Sequence, residues 1–215
     1  MQIISVINQK GGVGKTTTVI NLAAGLAQKD KKILVVDLDP QGNATTGLGL
    51  SNQESSGDTI YGVLNGTNKI SEVIKKTNFQ NLDIITSNVD LSGLEIETAG
   101  DNERAFILKT KLTAYINDSR ASYDYILIDC PPSLSLLTVM ALVSSHSLVV
   151  PLQAEFFALE GLTQLMTTIE RIKVSLNPKL KIRGILLTMY DRRNKLSIQV
   201  EKEARDYFSD KVYAT

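Results

Sequence analysis

The sequence predicts an α/β fold in which helices flank a mostly parallel central sheet. Short apolar runs alternate with segments of helical spacing along most of the chain. Most of these runs are nearly continuous in Ile, Leu and Val, as expected for strands that are covered on both faces. Strands that alternate with helices form parallel sheets, because each helix crosses back over the sheet to the start of the next strand.

The strands are predicted at the apolar runs, which are residues 2–7, 32–37, 82–86, 125–129, 147–151 and 182–188. The helices are predicted where apolar residues recur every three or four positions, at residues 16–29, 103–117, 133–143, 159–175 and 195–208. Residues 42–76 are richer in Gly, Ser, Asn and Thr, with short helical patterns at 59–64 and 70–75. We expect this segment to be an insertion over the edge of the sheet. The aromatic pair Phe156 and Phe157 is expected to pack helices against the sheet.

Composition narrows the class of protein. A chain of 215 residues with 43% hydrophobic residues can bury one substantial core, which predicts a single domain over residues 1–215. Lys+Arg and Asp+Glu both number 23, so any nucleic acid or anionic lipid must be met by a local patch. The single cysteine, Cys130, excludes an intrachain disulfide and fits a reducing cytoplasm. No apolar run reaches about 18 residues, and the sequence predicts a soluble, unexported chain.

The most informative motif is KGGVGKTT at residues 10–17, directly after the first strand. A nucleoside triphosphate carries dense negative charge, and backbone N–H groups can approach it closely only where no Cβ intervenes. Gly11, Gly12 and Gly14 provide that access. Thr16 and Thr17 then open a helix whose first N–H groups and positive dipole end face the phosphates. The sequence therefore predicts a phosphate loop at residues 10–17.

Two lysines accompany this loop. Lys15 adds a positive charge toward the phosphates, and the hydroxyl of Thr16 suits Mg²⁺. The ordinary motif has glycine five residues before Gly14, whereas this chain has Gln9 there and a further lysine, Lys10, after it. The spacing alone leaves open that Lys10 is a solvated charge beside the loop.

Two further strands end in acidic residues. The second strand runs into DLDPQGN, in which Asp37 and Asp39 either serve a Mg²⁺ shell and an attacking water, or cap turns. The strand at 125–128 ends in Asp129, the pattern of the strand that positions Mg²⁺ opposite a phosphate loop. In parallel sheets, ligands bind beyond the carboxyl ends of the strands, where Lys10 and these carboxylates converge. Cys130 is read as a buried packing residue.

These segments together resemble the ParA/Soj family of partition ATPases, within the wider group that includes MinD. KGGVGKTT is similar to the deviant Walker A loop of that family, DLDPQGN to its second aspartate motif and ILIDCPPSLSLLT to its magnesium strand. VVPLQAEFFALEGL and LLTMYDRR extend the resemblance along nearly the whole chain. The resemblance implies a three-layer P-loop NTPase fold and Mg²⁺-dependent hydrolysis of ATP to ADP and phosphate.

The resemblance also implies roles for the matching residues. Lys10 corresponds to the signature lysine that crosses into the ATP of the partner subunit, so that a homodimer encloses two ATP molecules. Lys15 corresponds to the loop lysine and Asp39 to the aspartate that activates water, and these three residues form the implied catalytic set. The implied ATP/ADP contacts are Lys10, Gly11, Gly12, Val13, Gly14, Lys15, Thr16, Thr17 and Met189. The implied Mg²⁺ set is Thr16, Asp39 and Asp129.

The resemblance further implies binding partners. The family binds double-stranded DNA nonspecifically as the ATP dimer, and Arg193 falls where one of its DNA-binding arginines occurs. Arg192 and Lys195 extend this basic group, although nearby acidic residues leave a solvated helix face as the alternative. A ParB-type partner that stimulates a slow ATPase, no stable membrane association and a nucleoid-associated place in the cytoplasm are also implied.

The leading hypothesis is therefore an ATP-dependent molecular switch for chromosome or plasmid partitioning. The alternative is a MinD-like membrane-cycling regulator of the cell-division site, which needs a terminal amphipathic helix that the end of this chain does not show. An electron-transfer protein like the nitrogenase iron protein is excluded, because Cys130 cannot supply the pair of cysteines required from each chain. Members of the family continue beyond the position of Thr215. We therefore expect that this chain enters a further strand but lacks a C-terminal strand and helix segment that supplies adenine contacts.

Overall fold

The computed structural model describes residues 1–51, 53, 56–118, 122–155 and 158–214. The predicted packing of Phe156 and Phe157 falls outside the described residues. Within them, the strands are β1 (Gln2–Val6), β2 (Ile33–Asp37), β3 (Ile74–Lys76), β4 (Leu82–Ile85), β5 (Tyr125–Asp129), β6 (Ser147–Gln153) and β7 (Lys181–Thr188). They form one sheet in the order β3-β4-β2-β5-β1-β6-β7. Every pair is parallel except β3 with β4, which confirms the predicted mostly parallel sheet.

Helices cover both faces of this sheet. They are α1 (Lys15–Ala27), α2 (Asn43–Gly47), α3 (Ile60–Leu64), α4 (Ile70–Val73), α5 (Leu94–Glu97), α6 (Ile107–Asn117), α7 (Leu136–Ser144), α8 (Ala158–Ser175) and α9 (Lys195–Phe208). Successive strand residues point to opposite faces. Ile33 and Val35 pack in the cluster formed with α1, whereas Leu34 and Val36 pack in the cluster formed with α6, α7 and α8. All four are fully buried, which explains why this strand reads as a continuous apolar run.

One predicted helix is wrong in its second half. The pattern at 70–75 predicts a helix, but α4 ends at Val73 and Ile74 begins β3, which pairs antiparallel with β4. Ile74 is β-branched and partly buried, and it gains ladder hydrogen bonds at the edge of the sheet that a longer helix would forgo. The predicted helix at 103–117 also begins later, at Ile107, after the single 3₁₀ turn Arg104–Phe106.

Three strands end side by side at the carboxyl rim, the edge of the sheet marked by Val6, Asp37 and Asp129. β5 lies between β1 and β2, and both Val6 and Asp37 are in register with Asp129. The chain that leaves β1 therefore begins its loop beside two carboxylates that are distant in sequence. This register brings the glycine-rich segment and the acidic strand ends together.

The C-terminal residues begin to pair with the other edge of the sheet. Val212 forms an isolated parallel bridge with Ile185 of β7, and the backbone N–H of Tyr213 donates to the Ile185 carbonyl at 2.9 Å. Arg205 of α9 donates to the carbonyls of Val212 and Tyr213 at 3.1 and 3.2 Å. These contacts place Val212 and Tyr213 against β7 as an isolated bridge, and the further strand after α9 stays a prediction.

Candidate functional site

The glycine-rich loop between β1 and α1 turns sharply at both of its ends. At its start, Asn8 accepts a hydrogen bond from the backbone N–H of Lys10 at 3.0 Å and donates to the Pro151 carbonyl at 2.7 Å. Gly12 and Gly14 have φ values of 77° and 87°, in the left-handed region that favours glycine. The loop thus has a fixed entry and a backbone that only glycine adopts without strain.

Gly14 is also the residue before the first turn of α1. Its carbonyl accepts from the backbone N–H and the hydroxyl of Thr18 at 2.9 and 2.7 Å. Gly14 has no side chain with which to cap this helix terminus, and no acidic residue lies in the first turn of α1. The N–H groups of that turn and the positive end of the helix dipole therefore face the space enclosed by the loop.

That space is a cavity of about 490 Å³. It is lined by Gly11, Gly12, Gly14, Lys15, Thr16, Thr17, Ile20, Asp39, Asn43, Pro132 and Met189. The structure therefore brings together most of the predicted nucleotide contacts. Val13 is buried behind the loop, Asp129 is fully buried, and Lys10 does not line the cavity.

Lys15 lies in this cavity with only 7% of its surface exposed. Its ammonium group donates to the Lys10 carbonyl at 2.8 Å, which ties the first residue of the loop to the start of α1. Burial lowers the pKa of Lys15, and the nearby carboxylates of Asp129 and Asp39 act in the opposite direction. A positive charge is thus held at the centre of the loop.

Asp129 is the most constrained acid of the site. It is fully buried, and neither carboxyl oxygen has a hydrogen-bond partner among the described residues. Burial, followed by the charge of Asp37, raises the pKa of Asp129 to about 7. The Thr16 hydroxyl is near enough to oppose this shift, but it does not reach hydrogen-bond geometry with either oxygen. Unsatisfied carboxylate oxygens beside a threonine hydroxyl form the donor set that Mg²⁺ prefers.

Asp37 has a different environment. Its two oxygens accept from the backbone N–H and hydroxyl of Thr45 at 2.8 and 2.7 Å, and from the N–H of Asp39 at 3.2 Å. Burial raises the pKa of Asp37 to about 6 despite these bonds. The carboxylate organises the turn after β2, which favours the turn-capping alternative for this residue.

Asp39 lies at the cavity wall, two residues beyond the end of β2. It is 6% exposed, and one of its oxygens accepts from the backbone N–H of Gln41 at 3.0 Å. The turn organised by Asp37 thus orients Asp39 toward the loop. A carboxylate in this position can hold and deprotonate a water molecule.

Lys10 points away from the cavity that its own loop encloses. Its ammonium group forms an ion pair with Glu155, which follows β6. The two side chains are 50% and 29% exposed, but the Glu155 Oε1 atom that meets the ammonium group is itself buried, so the pair is only partly accessible to water. Water screens the half-exposed Lys10 end of the pair, whereas the buried Glu155 oxygen depends on its partner. Moving the Lys10 ammonium away would leave the Glu155 Oε1 atom to be hydrated or paired with another donor.

The predicted DNA-binding residues do not line the cavity. Arg192 and Arg193 lie between β7 and α9, and Lys195 is the first residue of α9. The Arg193 guanidinium makes a two-pronged contact with Asp191, at 3.0 and 2.8 Å. Its side chain is nonetheless 91% exposed. Met189 lines the cavity, and the basic segment follows it closely in sequence.

Three cavity residues were not predicted as contacts: Ile20, Asn43 and Pro132. Asn43 closes the DLDPQGN motif and Pro132 follows Asp129 closely, so their positions at strand ends were a usable signal. Ile20 carries no such signal, because its apolar side chain on α1 reads as core.

A glycine loop between β1 and α1, with a buried aspartate ending the neighbouring parallel strand, defines the P-loop NTPase fold. The model of a family described as an AAA domain matches residues 1–182. The chain is 51% identical to the chromosome partitioning protein ParA of Caulobacter vibrioides strain NA1000 / CB15N over 99% of this chain and 79% of that protein. It is 49% identical to the sporulation initiation inhibitor protein Soj of Bacillus subtilis, over 100% of this chain and 83% of that protein. The chain belongs to the ParA/Soj family of partition ATPases.

A solved structure has the same fold. The cobyrinic acid a,c-diamide synthase of Mycobacterium smegmatis, with bound ATP analogue and magnesium, is 36% identical with a TM-score of 0.89. The match covers 97% of this chain and 83% of that one. Separately, none of the helices within the described residues combines the length and apolar character needed to cross a membrane.

The raised pKa of Asp129 predicts a stabilising substitution in the nucleotide-free protein. The protonated carboxyl is favoured by folding, so its contribution is fully present below the unfolded pKa near 3.8 and is lost as the pH rises through about 7. Asp129→Asn removes the buried charge, and we expect it to raise the free energy of unfolding at pH 8 by about 1–3 kcal/mol. Urea unfolding at pH 8 and pH 5 measures this, and the gain shrinks at pH 5.

Asp206→Asn, which removes an exposed carboxylate of α9, serves as the matched control and leaves stability nearly unchanged at both pH values. A destabilised Asp129→Asn protein at pH 8, or a gain that does not change with pH, would contradict this account of the site.

Proposed function

We propose that residues 1–215 form a single ParA-like ATPase domain that acts as a molecular switch in chromosome or plasmid partitioning. The observation that carries the proposal is that the two lysines of one loop lie in different environments. Lys15 is buried in the cavity, whereas Lys10 is half exposed outside it. Membership of the ParA/Soj family and the name of the Caulobacter relative support the same function.

The loop is proposed to bind the phosphates of ATP and ADP. Gly11, Gly12 and Gly14 offer backbone N–H groups and Lys15 offers its charge. Val13, Thr16 and Thr17 complete this set, and Met189 flanks the base. The related structure with a bound ATP analogue supports these assignments, since the match includes nearly all of this chain.

The residues around Asp129 fit a magnesium ion. Its two oxygens lack donors within the described chain, and the Thr16 hydroxyl lies beside them. We assign Thr16, Asp129 and Asp39 to the magnesium shell. When bound, the ion would neutralise charge on the β- and γ-phosphates during hydrolysis.

Hydrolysis is assigned to Asp39. Its carboxylate lies at the cavity wall, held by the turn that Asp37 organises, and can orient and deprotonate the attacking water. Lys15 stabilises the charge that develops on the transferred phosphoryl group. Loss of the γ-phosphate then removes the preference for the ATP-bound state.

ATP is proposed to join two chains into a homodimer that sandwiches two nucleotides. The Lys10 ammonium serves the second chain rather than its own cavity, and leaving Glu155 requires that water or another donor then reach the buried Glu155 Oε1 atom. Each chain then completes the site of the other. ATP thereby acts as part of the interface.

The ATP dimer is proposed to bind double-stranded DNA nonspecifically through Arg192, Arg193 and Lys195. These residues lie on the segment that follows Met189, so DNA and nucleotide engage neighbouring parts of the chain. DNA phosphates would compete with Asp191 for Arg193. Doubling the basic segments in a dimer strengthens binding, which depends on the number of phosphates neutralised.

Two further features complete the proposal. A ParB-type partner stimulates the slow ATPase, and the protein works on the nucleoid in the cytoplasm.

The MinD-like alternative would replace DNA by anionic lipid as the surface bound in the ATP state. Cosedimentation with DNA and with anionic liposomes, each with Mg·ATP, discriminates between the two functions.

Separating the two lysines tests the proposed switch. We expect Lys15→Ala to lose nucleotide affinity by about a hundredfold, because a buried charge–phosphate contact is removed. Lys10→Ala should instead bind Mg·ADP within about twofold of wild type, because Lys10 does not line the cavity. It should fail to dimerise with Mg·ATP and fail to bind DNA. Calorimetry, analytical ultracentrifugation and DNA anisotropy measure the three properties.

Lys29→Ala, which removes an exposed lysine after α1, is the matched control and behaves as wild type in all three assays. A Lys10→Ala protein that forms the ATP dimer normally would refute the crossing role of Lys10.

Asp39→Ala is expected to separate binding from hydrolysis. Removal of a general base lowers turnover by about 10²–10⁴-fold, while the loop and Lys10 remain intact. The variant should therefore accumulate as the ATP dimer on DNA. Phosphate release and DNA cosedimentation measure this outcome, and rapid turnover by Asp39→Ala would show that another group activates the water.

A further inference from the structure

Thr188, the last residue of β7, contacts the phosphate loop from behind. Its hydroxyl donates to the Val13 carbonyl at 2.9 Å, across 175 positions of sequence. Val13 is 1% exposed, and Thr188 is partly buried and does not line the cavity. The contact therefore joins the edge of the sheet to the hidden side of the loop.

The orientation of one peptide group depends on this contact. The Val13 carbonyl and the Gly14 N–H belong to the same planar, trans peptide unit, in which the two groups point in opposite directions. Holding the carbonyl toward Thr188 therefore directs the Gly14 N–H away from Thr188, toward the cavity that Gly14 lines. This unit rotates about ψ of Val13 and φ of Gly14, and because Gly14 has no Cβ and already adopts the left-handed region, other orientations of the unit are accessible.

The methyl group of Thr188 also packs against the loop. A Cβ built on Gly14 would lie 3.6 Å from Thr188 Cγ2, so the methyl packs beside the Gly14 backbone. Threonine is β-branched, and its two groups on Cβ occupy fixed directions. One side chain thus provides a donor for Val13 and an apolar surface for Gly14.

We propose that Thr188 is a positioning residue for the phosphate loop: its hydroxyl fixes the Val13 peptide so that the Gly14 N–H donates to a nucleotide phosphate oxygen. This inference rests on the proposed nucleotide-binding function. Without the hydroxyl, the Val13 carbonyl loses its donor and the peptide unit between Val13 and the flexible Gly14 can rotate. The Gly14 N–H then points away from the cavity in a fraction of the protein molecules. Nucleotide binding must return it to the binding orientation, which lowers the affinity.

Two substitutions separate the hydroxyl from the methyl group. Thr188→Val keeps the shape and removes the donor, and we expect Mg·ADP affinity to fall about ten- to a hundredfold, as for a lost hydrogen bond involving a charged group. Thr188→Ser keeps the donor and loses one methyl group, and affinity should fall by about fourfold at most. Calorimetric titration with Mg·ADP measures both.

A second measurement reads the loop without nucleotide. The ¹H–¹⁵N resonance of Gly14 should keep its position in Thr188→Ser and shift or broaden in Thr188→Val. In steady-state ATPase assays, Thr188→Val should raise KM more than it lowers kcat, because binding bears the cost of ordering the loop. Thermal unfolding checks that both variants are folded.

The outcomes separate this inference from the proposed function. Wild-type affinity for Mg·ADP in Thr188→Val, or equal losses in both variants, would overturn the role of the hydroxyl while leaving the nucleotide site in place. A wild-type protein that does not bind Mg·ADP would overturn the proposed function and, with it, this role of Thr188.

Discussion

The site depends on a carboxylate that the protein buries without satisfying. Asp129 ends the central strand β5 and is flanked in register by the ends of β1 and β2, and neither of its carboxyl oxygens has a hydrogen-bond donor among the described residues. Asp37 and Asp39 add negative charge nearby, and the buried Lys15 adds a positive charge that acts in the opposite direction. Such an arrangement opposes folding unless a proton or a cation is present. Functional sites often retain groups that lower folding stability in this way, and a bound magnesium nucleotide would compensate the buried charge.

Much of this arrangement follows from local sequence. The strands ending in Asp37 and Asp129 are continuous apolar runs, and strands of this kind between helices lie in parallel with their carboxyl ends together. Gly12 and Gly14 occupy the loop positions that need a left-handed backbone, so their spacing before Lys15 predicts the cradle as well as the helix after it. Parallel topology then brings loop and carboxylates to one edge.

The remaining features depend on contacts between distant segments. Nothing near Lys10 indicates that Glu155 pairs with it, and nothing near Thr188 indicates that it contacts Val13. The role of Asp37 in stabilising the turn after β2 depends on its contact with Thr45, which the local sequence does not indicate. The sequence does not predict the strand β3, because its three residues follow a helical pattern without a break. In each case the partner is set by tertiary packing, which local propensity does not encode.

The central claim is that burial raises the pKa of the Asp129 carboxyl to about 7 in the empty protein, and that the carboxyl is held as an anion in the complex with Mg·ADP. Carboxyl ¹³C NMR of aspartate-labelled protein measures this directly, with Asp129→Asn assigning the resonance. The account predicts that the Asp129 carboxyl titrates near pH 7 without nucleotide. With Mg·ADP bound, it predicts an ionised carboxylate over roughly pH 5.5–8. An ordinary pKa near about 4 in the empty protein, or a carboxyl that stays protonated in the complex, would contradict it.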